Sequence, residues 1–237
     1  MPQGGFQLWY QRAVRLFVVA TVVLAAAVGC GPRPAPEPAT TSGPAPRSSV
    51  GTVDPARIQR ARDGLPPGYE VVDIDPHANP VSLWGFGPDW AADPPECGAL
   101  PARETEPTRG WSASGPGGIV YAGVMTLAPG VPEVRDARSC GQWSVSGGHA
   151  VGTVTRVPAP EIDGAVTAGT STAVTTVVEG GTETRSHADT FTATIAAESG
   201  SRHVFVTVVT DPGSPNPALD ATFAADLLVK TVSVLRG

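Results

Sequence analysis

Residues 167–178, 184–197 and 203–210 form three successive runs rich in threonine, valine and alanine, separated by little more than Gly180-Gly181 and Ser199-Gly200. Branching at Cβ suits an extended backbone, and glycine supplies the positive φ that a tight reversal needs. Such a block predicts an antiparallel meander. Its two faces differ only weakly in polarity, because threonine and alanine recur on both.

The residues that follow carry the opposite periodicity. Leu219, Phe223, Leu227 and Val234 recur at helical spacing, Leu228, Val232 and Leu235 widen the stripe, and Asn216-Pro217 supplies a cap and a first-turn proline. So apolar a helix needs a broad surface to cover. Upstream, Asp54-Pro55 begins a short helix with Ile58, Ala61 and Leu65 on one side and Gly64 at its end. Residues 69–74 and 118–127 read as strands, and 132–139 as a short helix leading into Cys140 and Trp143. Together these elements predict an α+β fold, an antiparallel β-sheet with helices packed on one face.

The N-terminus reads as an address. Arg12 and Arg15 precede an uncharged stretch from Leu16 to Val28, and Ala27 and Gly29 provide small residues before Cys30. The apolar run is shorter than the 20 or so residues a spanning helix needs. Residues 1–29 are therefore expected to be a signal peptide. Cys30 is expected to carry lipid as the first residue of the mature chain, and acyl chains at about 0.8 kcal/mol per buried methylene would hold it at a membrane.

Residues 31–53 alternate proline with alanine, serine and threonine and cannot bury apolar area, so 30–53 forms a disordered Pro-rich tether and 54–237 one extracytoplasmic domain. The full sequence already carries a net charge of −6, and removal of the two leader arginines makes it more acidic. That balance opposes binding to nucleic acid, which rests on clustered Lys and Arg. With Cys30 assigned to lipid, Cys97 and Cys140 remain in an oxidising compartment and are expected to form a disulfide.

The order of these features, with Pro94-Pro95-Glu96-Cys97 and Ser139-Cys140-Gly141-Gln142-Trp143, resembles a mycobacterial lipoprotein. Residues 54–237 resemble a domain of unknown function common in such lipoproteins, itself similar to the extracellular sensor domain of mycobacterial Ser/Thr protein kinases. Those sensor domains carry a second disulfide that this chain lacks. The resemblance implies a cell-envelope domain with a central antiparallel sheet and a ligand-accepting cleft. It transfers no catalytic residue and no cofactor.

Three constellations invite chemistry. Ser186-His187-Ala188-Asp189 contains a serine, an imidazole and a carboxylate, but in a strand Ser186 faces away from His187 and Asp189, so no local relay forms. No Gly-x-Ser-x-Gly elbow occurs. Asp73, Asp75 and His77 alternate as a cation site would require, yet Pro76 interrupts them and a solvated strand end is the simpler reading. Glu104 and Glu106 read as loop charges.

Trp84, Phe86, Trp90, Trp111 and Trp143 cluster in the segment that also holds both disulfide cysteines. They either line a ligand cleft or build a core beside the disulfide. The reading that results is a non-enzymatic, lipid-anchored envelope domain without metal or cofactor. Its expected partner is a small apolar or glycolipid-like ligand or an envelope protein.

Overall fold

The computed structural model describes residues 53–98, 106–127, 140–178, 180–197 and 200–237. Cys30, the expected leader, the expected tether up to residue 52, Glu104 and the helix expected at 132–139 lie outside the described residues. Among the described residues nine strands form one sheet: β1 (Glu70–Asp73), β2 (Ala91–Asp93), β3 (Arg109–Gly115), β4 (Gly118–Leu127), β5 (Gln142–Gly147), β6 (Ala150–Val157), β7 (Ala165–Val177), β8 (Glu183–Ala197) and β9 (Gly200–Thr210). Their order is β1-β3-β4-β9-β8-β7-β6-β5-β2, and every neighbouring pair is antiparallel. The meander expected from the threonine-rich runs is β7-β8-β9, and β4 has the bounds read from the sequence.

The expectation of an α+β fold with helices on one face is overturned. Among the described residues this large sheet is the dominant element. Its helical complement among the described residues is a 3-10 helix (Pro55–Gly64), one turn α1 (Pro80–Leu83), a short 3-10 segment (Pro95–Gly98) and the C-terminal α2 (Ala221–Arg236).

These elements lie on both faces, as strand alternation shows. Phe191 and Ala193 of β8 pack with Val204 and Val206 of β9, Trp111 of β3, the 3-10 residues Ile58 and Ala61, and Leu228, Val232 and Leu235 of α2. Ala188, one step out of phase with Phe191 and so on the opposite face, packs with Val145, Val154 and Val174 beneath Val81, Trp84 and Phe86. Ile74, Ala78, Met125, Leu127 and Phe205 extend that second layer.

Local chemistry explains most of the individual elements. Asp54 caps the first helix by accepting from the Ala56 amide at 3.0 Å. That helix is 3-10 because Ile58, Ala61 and Gly64 recur at every third residue, and three residues per turn bring them to one line. A Cβ on Gly64 would stand only 3.0 Å from Leu227 Cδ1, so this row lies directly against α2.

Helix α2 begins at Ala221, later than Asn216-Pro217 suggests, with Asp220 accepting from the Phe223 amide at 2.8 Å. Residues 216–219 are instead irregular and held by hydrogen bonds to residues outside that stretch. The Leu219 amide donates to the Gly117 carbonyl at 3.0 Å, and the Asn216 amide to Ser214 Oγ at 3.2 Å.

Two cross-strand pairs use glycine to seat an aromatic ring. Gly123 is directly opposite Phe205, and a Cβ there would overlap the ring; Gly169 is opposite Phe191, whose Cε1 would stand 2.7 Å from an added Cβ. Each ring reaches over the glycine of its partner strand, one on each face of the sheet. Both sheet edges are short strands bearing carboxylates, β1 with Glu70 and Asp73 and β2 with Asp93, a form that discourages edge-to-edge pairing.

Candidate functional site

His187 and Asp189 share one face of β8, and β7 brings Ser171 directly opposite Asp189. His187 Nε2 lies 3.1 Å from Asp189 Oδ1 and 3.2 Å from Ser171 Oγ. The hydrogen bond to Asp189 raises the imidazole pKa above its ordinary value against the opposing effect of burial. For Asp189, burial alone would raise the pKa; the bonds from His187 and Ser171 and the attraction of the imidazolium outweigh it and hold the carboxyl below its usual range.

Serine and carboxylate meet the same ring nitrogen, whereas a proton relay needs them on opposite nitrogens. The cluster is therefore a charge-assisted pair with a hydroxyl partner. Its stability contributions follow from the shifts. The His187 term is fully present below the unfolded imidazole value and is lost as pH rises through the raised folded value. The Asp189 term is present above the unfolded carboxyl value and is lost as pH falls through the lowered folded one. Asp189→Asn is expected to lower the His187 pKa in an NMR pH titration; an unchanged midpoint would mean that the pair does not interact in solution.

A recess of about 520 Å³ opens where β9 ends. Ile119 and Val209 form its apolar floor, Gly115 to Gly118 one wall, Ser186 another, and the loop carrying Asp211, Ser214 and Asn216 the rim. The loop is ordered by its own side chains. Asp211 Oδ1 accepts from the Gly213 amide at 2.7 Å, and the Ser214 amide donates to the Asp211 carbonyl at 3.0 Å. Tyr69 OH accepts from the Gly117 amide at 3.2 Å and so supports the opposite wall.

The five aromatic candidates divide between the faces. Trp84 and Phe86 are only 5% and 3% exposed, packed over the β5–β8 half of the sheet, with Trp90 and Trp143 partly buried beside them. The Trp84 and Trp143 rings are 6.3 Å apart and tilted by 51°. Trp84 Nε1 donates to Thr190 Oγ1 at 3.0 Å, and that hydroxyl meets Thr207 Oγ1 at 2.9 Å. Trp111 is fully buried on the other face and donates to the Ile58 carbonyl at 3.1 Å.

Cys97 and Cys140 are bonded to each other beside this cluster, with Cα atoms 5.5 Å apart. Asp73 is an exposed residue of β1, and Asp75 and Glu106 have structural partners. Asp75 Oδ1 accepts from the His77 amide at 2.7 Å in a local turn, and Glu106 Oε2 accepts from Thr126 Oγ1 at 2.9 Å.

Two features are not evident, or only partly so, from residue order. Ser171 reaches His187 only through the β7–β8 register, which residue order does not reveal. The recess loop was legible in part, since Asp-Pro-Gly-Ser-Pro-Asn-Pro is a dense turn signal between strand and helix.

Residues 54–236 match a family described as Domain of unknown function (DUF5642). The fold is similar to the X-ray structure of an uncharacterised protein of Mycobacterium smegmatis, an Rv0999 ortholog, with a TM-score of 0.56 and 20% identity. That match covers 78% of this chain and 98% of the other, and at such identity it speaks to the fold alone. No curated protein matches the chain.

Proposed function

The chain belongs to the DUF5642 family, which is described only as a domain of unknown function, and from that premise we propose that it is a non-catalytic binding domain held at the outer face of a cell membrane by lipid on Cys30. The leader ending at Cys30 and the proline-rich segment after it support the anchor. The disulfide suits an oxidising compartment. One observation carries the binding reading: the recess beside Ile119 and Ser186 has an apolar floor and a polar rim, as sites that hold a partner commonly do. The Trp84 and Phe86 rings are already covered by the protein, so the recess is the better place for a partner.

Two measurements on the full chain test this. Cys30→Ala should move the protein from the membrane to the soluble fraction and remove the lipid from its intact mass; retention in the membrane would sink the anchor. Native mass spectrometry of protein extracted from its own membranes should show a bound partner that Ile119→Arg removes. A partner retained by that variant would place binding elsewhere on the molecule, and a bare lipidated monomer would end the binding reading.

A further inference from the structure

Strand β8 is longer than the strand beside it. Its pairing with β9 begins at His187 opposite Thr210, whereas its pairing with β7 continues through Glu183 opposite Val177. Hydrogen bonds identify which backbone groups this mismatch leaves over. The Val177 amide donates away from β8, to the His149 carbonyl, and the Val178 amide donates to the Thr182 carbonyl. Even-numbered residues of β8 therefore face β7, and odd-numbered ones face the β9 side.

Thr210 Oγ1 approaches the His187 carbonyl from that side, as this phase requires. The N–H and C=O groups of Glu183 and Arg185 thus point along the track of β9 beyond its end, where no strand among the described residues lies. Both residues are exposed.

The recess adjoins this open edge. Ser186 belongs to both, and Ile119 and Val209 lie on the same face as Ser186, beside the line an added strand would follow. We propose, resting on the binding reading above, that the open β8 edge takes one extended peptide segment of a protein partner as an additional strand, with an apolar side chain in the recess and a Lys or Arg against Asp211. Backbone groups at a strand edge are matched by another backbone, and side chains of an added strand alternate, so every second one enters the recess. The basic residue follows from charge: among the described residues of the lining, Asp211 is the only charged one.

The test uses the full chain and a displayed library of random eight-residue peptides. Enriched peptides should combine apolar residues with Lys or Arg and lack proline at their centre. The best of them, added to isotopically labelled protein, should slow amide exchange at Glu183 and Arg185 at least tenfold and shift Ser186, Ile119 and Asp211. Asp211→Asn should weaken a basic peptide several-fold.

Methylating alternate backbone nitrogens of the peptide should abolish binding in one phase and spare it in the other, a readout that asks nothing of the folding of a variant. Indifference to methylation, or shifts confined to another surface, would overturn the proposal. No enriched peptide at all would overturn it too; a partner still displaced by Ile119→Arg in the native mass measurement would then leave the binding reading standing without the peptide.

Discussion

Replacing Cys97 and Cys140 together by serine is expected to lower the unfolding free energy by about 4 kcal/mol. The bond closes a loop with a sequence separation of 43, and most of that stabilisation comes from the conformations it denies the unfolded chain. Against a net stability of roughly 5–15 kcal/mol the loss is large. For a domain of this size it corresponds to a fall in melting temperature of about 8–16 °C.

The effect should also be uneven. The disulfide joins the short 3-10 segment after β2 to the approach to β5, and β2 pairs with β5 through only three residues, Ala91, Ala92 and Asp93. Trp90 packs close behind, with Cζ3 2.8 Å from where a Cβ on Gly98 would stand. Amides of β2 and β5 should therefore exchange faster in the serine variant by a larger factor than those of β8 and β9, which sit between the two layers. Denaturant unfolding of the oxidised and reduced protein checks the magnitude, and a difference below about 1 kcal/mol would mean that loop closure contributes little here.

Acidification is expected to destabilise the fold through His203. The imidazole is 3% exposed, with Nδ1 3.0 Å from Thr194 Oγ1 and no partner at Nε2 among the described residues. Burial pushes its pKa down to about 4. Between that value and about 6.5 the unfolded chain binds a proton that the native chain refuses, so stability is fully present above the window and falls as pH falls through it. A depression of this size amounts to about 3 kcal/mol lost by the lower end.

The raised pKa of His187 acts in the opposite direction at higher pH, so the slope must be compared between variants. His203→Leu should flatten the dependence of unfolding free energy on pH between 6.5 and 4.5, whatever it does to stability at neutral pH. Equal slopes in the two proteins, or an NMR titration of His203 near the ordinary histidine value, would contradict this account.

Several elements were legible because a short stretch of chain carries the whole signal. Gly118–Leu127 is a nearly unbroken apolar run and is buried along most of its length. Gly180 and Gly181 have φ of 85° and 78°, the reversal their pairing announces. The β5–β6 hairpin was not read, although Ala150, Gly152 and Val154 alternate strictly with exposed Val151, Thr153 and Thr155. Glycine at a buried position erased the apolar half of that pattern; the space its Cβ would need is taken by Val145 and Phe86, with Val145 Cγ1 3.0 Å and Phe86 Cζ 3.2 Å from where that Cβ would be.

By itself, the sequence determined what nearest neighbours decide: which stretches extend, where glycines turn them, which cysteines are left to pair, and that the last helix needs a surface to cover. The apolar run that ends at Cys30 is also the feature on which the proposed membrane location rests. The tertiary structure alone decided which face each strand turns inward. Threonine explains the difference, since it tolerates water and burial alike: Thr172 and Thr207 are fully buried while Thr153 and Thr155 are exposed. Only the register across β6, β7, β8 and β9 chooses between those fates. The same register sets Ser171 beside His187 and leaves the edge at Glu183 and Arg185 open, because contacts between distant strands are fixed by packing and not by order along the chain.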